Sequence, residues 1–321
     1  LGTLKQTLPT LEWEESPTAS TDDLLHAVWQ GDLDYTLANS NELALSQRYY
    51  PELRSAFSVG EPQGLAWAFP KNGDFSLFHA ALSFFDRIRA DGTLSHLIEQ
   101  YFGHLSRFDY VGTRTFLQHI SERLPTYRAL FEEAAAETGL DWRLLAAIGY
   151  QESHWNPRAV SSTGVRGIMQ LTLATAKQIG VQNRLDPAQS IFGGARYFAQ
   201  VRDKIPERIP EPTRTWLALA DYNIGYGHLE DARILTKQQG GDPDSWLDVK
   251  KHLPLLSDPA WYRRTRYGYA RGWEPVRYVE NIRTYYELLV RITEPGLMKP
   301  SAPPPESSGG LRLGDSIESA Y

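Results

Sequence analysis

The stretch from Tyr150 to Pro157, Tyr-Gln-Glu-Ser-His-Trp-Asn-Pro, contains the residue best placed to carry out chemistry, Glu152. It lies seven residues after Leu145 and four after Ile148, so a helix through this segment puts its carboxyl on the apolar face. A carboxyl group there must either pair with a cation or have a raised pKa. A raised pKa suits a general acid that protonates a leaving glycosidic oxygen near neutral pH.

A structural role for Glu152 fits the same spacing. An arginine such as Arg143 or Arg158 would neutralise a buried carboxylate without any catalytic function. At this level the residues around the helix leave both interpretations open.

The segment that follows this helix is polar and rich in turns, and the next helix is predicted to begin near Thr172. Glycine lets the backbone approach a ligand closely, and serine and glutamine side chains supply hydrogen bonds. The residues of this segment that would form such a site are Ser161, Gly164, Gly167, Met169 and Gln170. The glycines would equally serve a loop with no function beyond its turns.

Two later helix termini complete the elements around this segment. The run Asp186–Gln189 has the pattern of an N-cap, a first-turn proline and a capping partner, and is interpreted as structural. A further helix is predicted to end at Gly225, in a turn that contains Tyr222 and Asn223. Taken alone, that turn is typical of a helix C terminus.

The composition is that of a folded, soluble chain: 321 residues, 41% hydrophobic and 22% charged, with a mean hydropathy of −0.42. No window approaches the ~18 consecutive apolar residues of a membrane helix. A formal net charge of −6 argues against nucleic-acid binding. The absence of cysteine excludes disulfides, thiolate metal sites and cysteine nucleophiles. Neither His154 nor His228 has a partner at a metal-ligand spacing, so no metal and no other cofactor is expected.

The length predicts two domains, at roughly 150 residues per domain. Residues 1–105 alternate helical and strand-like runs, including a β-favouring run from Tyr35 to Ala38, which favours an α/β fold. Over residues 106–298 strand signals nearly vanish and helical periods dominate. Residues 299–321, rich in proline, serine and glycine, are predicted to form a flexible tail.

The chain begins at Leu1, and its two methionines are Met169 and Met298. It is therefore expected to be a processed product or a fragment, in which a removed signal peptide or lipid anchor would leave no trace.

The motifs of the helical part resemble those of the soluble lytic transglycosylase domain, in family order over about residues 111–295. The first motif is Glu152-Ser153, then Asn156-Pro157, Ser161, Gly164, Gly167 and Met169-Gln170; the second is Tyr222-Asn223-Ile224-Gly225; the last is Glu274 with Tyr278-Val279.

The first 105 residues resemble the later part of a type-3 extracellular solute-binding module, through Gly31-Asp32-Leu33-Asp34 and Asp91-Gly92-Thr93-Leu94. Together the two resemblances predict an α+β two-domain protein. An incomplete, N-terminal α/β solute-binding-like module would precede an all-α, lysozyme-like catalytic domain, with the boundary between residues 105 and 106.

The resemblance implies that Glu152 acts first as the catalytic acid and then as the base. The other residues it implies are Ser161, Met169 and Gln170 lining the cleft, Tyr222 and Asn223 positioning the sugar beside the scissile bond, and Tyr278 near the carboxylate. Departures from the family pattern at Val165-Arg166, Ile224 and Pro275 lie beside these positions and concern substrate fit more than activity.

The number of carboxylates distinguishes the possible reactions. A glycoside hydrolase that works by the usual route needs two, and both Asp141 and Asp186 are predicted helix caps. A single acid suffices when the substrate supplies the second group. The resemblance implies cleavage of the MurNAc–GlcNAc β-1,4 bond of peptidoglycan without water, giving 1,6-anhydromuramyl products. The alternatives are a lysozyme-like hydrolase and an inactive peptidoglycan-binding or solute-binding protein, and an intact Glu152 argues against the latter.

A basic stretch from Lys250 to Arg277 suits a polyanionic partner. It contains seven lysines and arginines against Asp258 and Glu274, and such a surface would attract the carboxylates of peptidoglycan. The alternative is a solvated face whose counter-charges lie elsewhere in the fold.

The first module is expected to bind a small ligand, an amino acid or a muropeptide, in a longer form that has both lobes, where the ligand would affect Glu152. The family often has an acidic residue where Asn39 stands, so weak or no amino-acid binding is predicted for this chain. The resemblance also implies a periplasmic location, with attachment to the outer membrane in the full-length form.

The helices after Phe75 are expected to belong to an incomplete lobe. Their apolar faces, including Phe84, Phe85 and Tyr101, should then pack on the catalytic domain or lie exposed.

Overall fold

The computed structural model describes residues 12–47, 49–50, 52–60, 66–70, 74–102 and 110–294. Within these ranges it is helical, and the extended pairings are the isolated bridges of Val160 with Arg166 and of Arg166 with Leu171. The predicted helical character of the catalytic domain is therefore confirmed. The predicted tail, 299–321, and the predicted boundary between residues 105 and 106 lie outside the described residues.

Four described helices lie before residue 110: α1 (Thr21–Gln30), α2 (Ser40–Ser46), α3 (Ser76–Ala90) and α4 (Thr93–Phe102). Ser20 caps α1. Its hydroxyl accepts from the Asp23 N–H at 3.2 Å, and the Asp23 carboxylate accepts from the Ser20 N–H at 3.0 Å. This reciprocal pair satisfies two donors that the helix itself cannot.

The β-favouring run from Tyr35 to Ala38 is not a strand, so that prediction is wrong. The run forms the connection between α1 and α2, and no strand of the described residues lies beside it. A short extended segment needs the hydrogen bonds of a partner to become a strand, whatever its propensity. The α/β character predicted for the N-terminal module is not confirmed.

The helices α3 and α4 leave much of their apolar surface exposed, as predicted. Phe84 is 38% exposed and Ile98 is 52% exposed. Phe85 is partly covered by the ring of Trp67, at 4.8 Å between ring centroids. The side chain of Tyr101 lies outside the described residues.

The helical domain from Tyr110 onward contains ten described α-helices and one 3₁₀ turn. These are α5 (Tyr110–Glu122), α6 (Leu124–Thr138), α7 (Trp142–Ser153), α8 (Leu173–Gln178), α9 (Pro187–Lys204), α10 (Thr213–Ile224), α11 (Tyr226–Gln238), α12 (Trp246–His252), the turn Leu253–Ser257, α13 (Pro259–Tyr262) and α14 (Trp273–Thr293).

The helix α7 runs through the core of this domain. Every residue from Leu144 to Tyr150 is buried, because α6, α9 and α14 all pack against it. Asp141 caps its N terminus by accepting from the Arg143 N–H at 2.8 Å. At the other end, Tyr150 packs among aromatic rings, including Phe116 at 4.5 Å. This packing fixes the position of the last turn of α7, which carries Glu152.

The last helix, α14, connects the N-terminal helices to this core. The Arg291 guanidinium donates to both carboxylate oxygens of Asp22 on α1, at 2.6 and 2.8 Å, and to the Tyr50 hydroxyl at 3.2 Å. It also lies 4.0 Å from the centroid of the Tyr49 ring. One end of α14 thus holds the N-terminal segment, while the rest of the helix packs on α7 and α10.

Candidate active site

Glu152 lies in the last turn of α7, where the backbone reverses sharply. His154 and Trp155 both have left-handed backbones, with φ of 52° and 56°, and the His154 N–H donates to the Tyr150 carbonyl at 2.8 Å. The Trp155 side chain is 1% exposed, and its indole N–H donates to the Ala146 carbonyl at 2.8 Å. Such backbone strain in non-glycine residues is typical of functional sites, where the surrounding packing holds it.

The carboxyl of Glu152 has a tyrosine partner from the last helix. The Tyr278 hydroxyl, on α14, donates to Glu152 Oε1 at 2.5 Å. The Tyr222 ring, at the end of α10, stacks on the Tyr278 ring with 6.5 Å between centroids and 17° between planes. Three helices that are remote in sequence therefore bring these side chains together, as the family resemblance implied for Glu152 and Tyr278.

Burial raises the pKa of Glu152 from 4.5 to about 7, and the hydrogen bond from Tyr278 opposes this increase. No cation or second carboxylate among the described residues contributes to the shift. Arg143, a candidate partner in a purely structural role, instead contacts Asp141 and Glu294. The carboxyl is therefore an unpaired acid that keeps its proton close to neutral pH.

The two tyrosines remain neutral beside this carboxyl. Burial, and then the proximity of Glu152, raise the pKa of Tyr222 and of Tyr278 well above 10. Both hydroxyls are therefore hydrogen-bond donors throughout the physiological pH range.

A Tyr278→Phe variant tests this arrangement. In the wild type, the hydrogen bond from the Tyr278 hydroxyl stabilises the ionised form of Glu152. Removing that bond should raise the pKa of Glu152 further above 7. The alkaline limb of the kcat/KM profile of a reaction that uses protonated Glu152 should then move to higher pH. An unchanged limb would contradict the assignment of that limb to Glu152. Tyr286→Phe is the matched control, because the Tyr286 hydroxyl donates to Asp141 at the opposite end of α7.

The loop between α7 and α8 is held to the helices by side chains that the sequence reasoning did not single out. Ser153 Oγ donates to the Ile168 carbonyl at 2.8 Å, and Ser190 Oγ on α9 accepts from the Met169 N–H at 3.1 Å. The Arg184 guanidinium donates to the carbonyls of Gly164 and Leu171, at 3.0 and 2.9 Å. Ser153 was visible in the motif beside Glu152, but no sequence signal linked Arg184 or Ser190 to this loop.

Ser161 and Gln170, both predicted to line the cleft, maintain the conformation of this loop. The Ser161 hydroxyl lies 2.8 Å from Thr163 Oγ1 and accepts from the Thr163 N–H at 3.2 Å. The Gln170 amide donates to the carbonyls of Ala159 and Gly167, at 3.1 and 2.8 Å. Both residues are partly exposed, so each retains some surface for a ligand.

The predicted role of Met169 in lining the cleft is wrong for its side chain. That side chain is fully buried, at 0% exposure, between two helices that present glycines to it. A Cβ added to Gly194 on α9 would lie 2.6 Å from Met169 Cβ, and one added to Gly149 on α7 would lie 3.3 Å from its sulfur. The apolar thioether is more stable in this gap than in the cleft. Only its carbonyl remains near the site, where it accepts from the Tyr222 hydroxyl at 3.3 Å.

Asn223 is exposed at the end of α10, directly after Tyr222. Its neighbour on the other side, Asp221, is a buried acid that the sequence reasoning did not select. Burial raises the pKa of Asp221 to about 6, with Lys204 opposing and Glu230 adding to the increase. Glu152 does not contribute to that shift, so the two carboxyls do not form an interacting pair.

Metal chemistry has no candidate ligands in the part of the chain that the structure describes. No group of three or more histidine, cysteine, aspartate or glutamate side chains comes together there.

Comparison with known proteins shows what this part of the chain resembles. The family model of the transglycosylase SLT domain matches residues 129–244. The SLT match includes Glu152, the loop up to Leu171, and Tyr222, but it ends before Tyr278, which α14 contributes.

Curated relatives extend the similarity to nearly the whole chain. A protein named membrane-bound lytic murein transglycosylase F 1 from Alkalilimnicola ehrlichii is 58% identical over 314 residues, which cover 95% of this chain and 64% of the relative. Membrane-bound lytic murein transglycosylase F from Hahella chejuensis is 53% identical over 288 residues, covering 90% and 57%. The chain thus spans about three fifths of the length of these two relatives.

A solved structure of an inactive mutant of the lytic transglycosylase Slt from Pseudomonas aeruginosa also matches. It is 22% identical, covers 52% of this chain and 24% of that chain, and has a TM-score of 0.35. Although the curated relatives are named membrane-bound, no described helix is both long enough and apolar enough to cross a bilayer.

Proposed function

We propose that this chain is a lytic transglycosylase that cleaves the MurNAc–GlcNAc β-1,4 bond of peptidoglycan, with Glu152 as its catalytic acid and base. The observation that carries the proposal is the Glu152 carboxyl, whose pKa burial raises to about 7 and which receives a hydrogen bond from Tyr278. A carboxyl with that pKa is protonated often enough at neutral pH to donate, and basic enough afterwards to accept. The names of the relatives and the SLT match support the substrate class.

One carboxyl can perform both proton transfers. The Glu152 proton goes to the glycosidic oxygen as its bond to C1 of the muramyl sugar breaks. The N-acetyl group of the same sugar stabilises the developing positive charge at C1. The ionised Glu152 then takes the proton from the 6-hydroxyl, whose oxygen forms the new bond to C1. Glu152 is protonated again, no water is consumed, and the product is a 1,6-anhydromuramyl end.

The residues proposed to bind the sugars lie at the end of α10 and in the loop after α7. Asn223 is exposed beside Tyr222, and we assign both to the sugar next to the scissile bond. Ser161 and Gln170 contribute through a loop that they also stabilise. A site whose donors are held in place before the substrate arrives does not have to order them on binding.

A lysozyme-like hydrolase is the alternative, and it would require a second carboxylate close to the first. The absence of any acidic contribution to the pKa of Glu152, within the described ranges, favours the one-carboxylate reaction. An inactive binding protein would have no need of a buried, unpaired acid, which is costly to maintain.

Mass spectrometry of the products released from purified sacculi, in water labelled with a heavy oxygen isotope, tests the proposal. We expect muropeptides lighter by one water molecule than hydrolysis products, with no heavy oxygen and no end that borohydride can reduce. Reducing ends labelled with heavy oxygen would show that the protein is a hydrolase. No release above that of a Glu152→Gln control would show that the chain is not a peptidoglycan-cleaving enzyme.

We place this reaction in the periplasm, with attachment to the outer membrane in a longer form, because the relatives are named membrane-bound. For that longer form we also propose a small ligand, an amino acid or a muropeptide, at the N-terminal module. For the present chain we propose weak or no amino-acid binding. Asn39 carries no charge, and its amide donates to Glu42 of α2 at 2.8 Å.

A further inference from the structure

The segment 263–277, here called the arginine-rich loop, connects α13 to the first turns of α14. It has five arginines and one carboxylate, Glu274, although the chain as a whole has a net charge of −6. All five arginines are exposed: Arg263, Arg264, Arg266, Arg271 and Arg277. The positive charge is therefore a local feature of this surface and not a consequence of composition.

Buried groups on the neighbouring helices fix the conformation of the loop. The carboxylate of Asp231 on α11, 2% exposed, accepts from the N–H groups of Arg266 and Tyr267, at 3.1 and 2.8 Å. Further along, the Ala270 N–H donates to the Leu256 carbonyl at 2.9 Å. Because backbone groups make these bonds, the arginine side chains are displayed outward from a fixed frame.

Aromatic rings are held exposed on the same loop. Tyr267 is 52% exposed, although it packs so closely on Gly227 that a Cβ there would lie 2.8 Å from its ring. Tyr269 and Trp273 are 58% and 46% exposed. The Arg277 guanidinium lies 5.7 Å from the centroid of Trp273. Exposed rings at fixed positions, with arginines stacked on them, are typical of recognition surfaces.

The arginine-rich loop is continuous with the site of Glu152. Arg277 directly precedes Tyr278, whose hydroxyl contacts the Glu152 carboxyl. Gly227, against which Tyr267 packs, lies at the start of α11, five residues after Tyr222. A substrate bound at Glu152 that extends past these turns therefore reaches the loop.

Most of this charge is not neutralised by the fold. Arg271 pairs with Glu274 at 2.8 Å, whereas no ion pair with a carboxylate is found for Arg263, Arg264 or Arg277 among the described residues. A guanidinium binds a carboxylate through two parallel hydrogen bonds, a geometry that uncharged sugar hydroxyls do not reproduce. Charge complementarity thus selects the acidic part of the substrate.

We propose that the arginine-rich loop binds the carboxylates of the peptide stems attached to the glycan strand. This inference rests on the proposed function and adds a preference to it: glycan with ionised stems should be a better substrate than glycan with neutralised stems. The aromatic rings pack against the glycan strand, and the arginines bind the ionised carboxylates of its peptide stems.

The test compares solubilised, stem-bearing glycan with the same material after its carboxyls have been converted to amides. Amidation removes charge and keeps the bulk of the stem. We expect kcat/KM to fall about 3- to 10-fold on amidation, the range for losing two partly exposed ion pairs. The preference should weaken as salt rises, because the contacts are exposed to solvent.

An Arg263→Ala/Arg264→Ala double variant should lose most of this preference, bringing the two kcat/KM values close together. Arg87→Ala/Arg89→Ala on α3 is the matched control, since it removes two exposed arginines outside the catalytic domain and should keep the preference. Circular dichroism checks that both variants fold.

The outcomes separate this inference from the proposed function. If wild-type protein cleaves neither substrate, the proposed function fails. If it cleaves both equally, or if the Arg263/Arg264 variant keeps the full preference, the inference fails while the function stands. If that variant keeps the preference but loses binding to vesicles of anionic lipid, the loop is a membrane contact and the stem-binding inference is also overturned.

Discussion

The Glu152→Gln variant should fold and lose cleavage of purified sacculi by about 10²- to 10⁴-fold, the contribution of a positioned proton-transfer group. The amide has nearly the shape of the carboxyl and can still accept the hydrogen bond from Tyr278, but it has no proton of suitable acidity to donate. Release of muropeptides over time is the measurement. Near-wild-type turnover by a variant of normal fold would show that another group is the acid.

The same variant should be more stable than wild type at alkaline pH. The pKa of Glu152 is about 7 in the folded protein and close to 4.5 in the unfolded chain. Its contribution to stability is therefore fully present below pH 4.5 and is lost as the pH rises through 7. A glutamine at this position does not ionise, so it avoids this loss. The free energy of unfolding of the variant should therefore exceed that of wild type by on the order of 1–3 kcal/mol at pH 8 and by little at pH 4.

Denaturant titrations at the two pH values measure this difference. Glu132→Gln is the control, because Glu132 forms an exposed pair with Arg128 at 2.8 Å. Removing such a pair costs less than about 1 kcal/mol. Equal stability of wild type and Glu152→Gln at pH 8 would contradict the burial of an unpaired acid.

The Gly167→Ala variant should be destabilised by more than about 4 kcal/mol, the range in which point mutations act through severe strain. A Cβ at this position would lie 1.8 Å from the Arg184 carbonyl oxygen and 2.8 Å from Ser190 Oγ. The Arg184 carbonyl is part of the backbone, and Ser190 Oγ holds the loop after Glu152 by accepting from the Met169 N–H. Neither atom can therefore move freely. Activity should be lost with the loop conformation.

Gly164→Ala separates this steric effect from backbone strain. The two glycines have nearly the same φ, 83° at Gly164 and 82° at Gly167, but a Cβ at Gly164 meets no atom within 4 Å. Gly164→Ala should therefore lower the free energy of unfolding only through the unfavourable left-handed backbone of the alanine, by about 1–2 kcal/mol. Thermal unfolding of both variants measures the difference, and similar losses would show that conformation alone accounts for the requirement at Gly167.

Local signals in the sequence were sufficient for helix ends and caps. Asp141 and Asp186 cap the helices that follow them, because a short polar side chain satisfies the first free N–H groups wherever the helix later packs. Gly225 likewise ends α10, as predicted. Propensity without a partner failed at Tyr35–Ala38, since a strand depends on a neighbour that the local sequence does not specify.

The site was predicted unevenly for the same reason. Glu152 could be predicted from its position on an apolar helix face. Its contact with Tyr278 spans 126 residues, and only the family resemblance predicted it. Met169 was misplaced because the glycines that admit its side chain, Gly149 and Gly194, lie on other helices. Nothing near Arg184 or Ser190 in the sequence indicated their bonds to the loop, because those bonds depend on tertiary packing.

The position of α14 at the end of the fold affects the order in which the site is assembled. The segment that matches the SLT model ends at residue 244, but Tyr278 and the packing surface that covers α7 lie beyond it, on α14. A nascent chain that has emerged only as far as α11 would present Glu152 on a helix face still open to water, where its carboxyl would ionise as in a peptide. The raised pKa of Glu152 therefore depends on the docking of α14, and a chain that lacks this helix should have a carboxyl of ordinary acidity at this position.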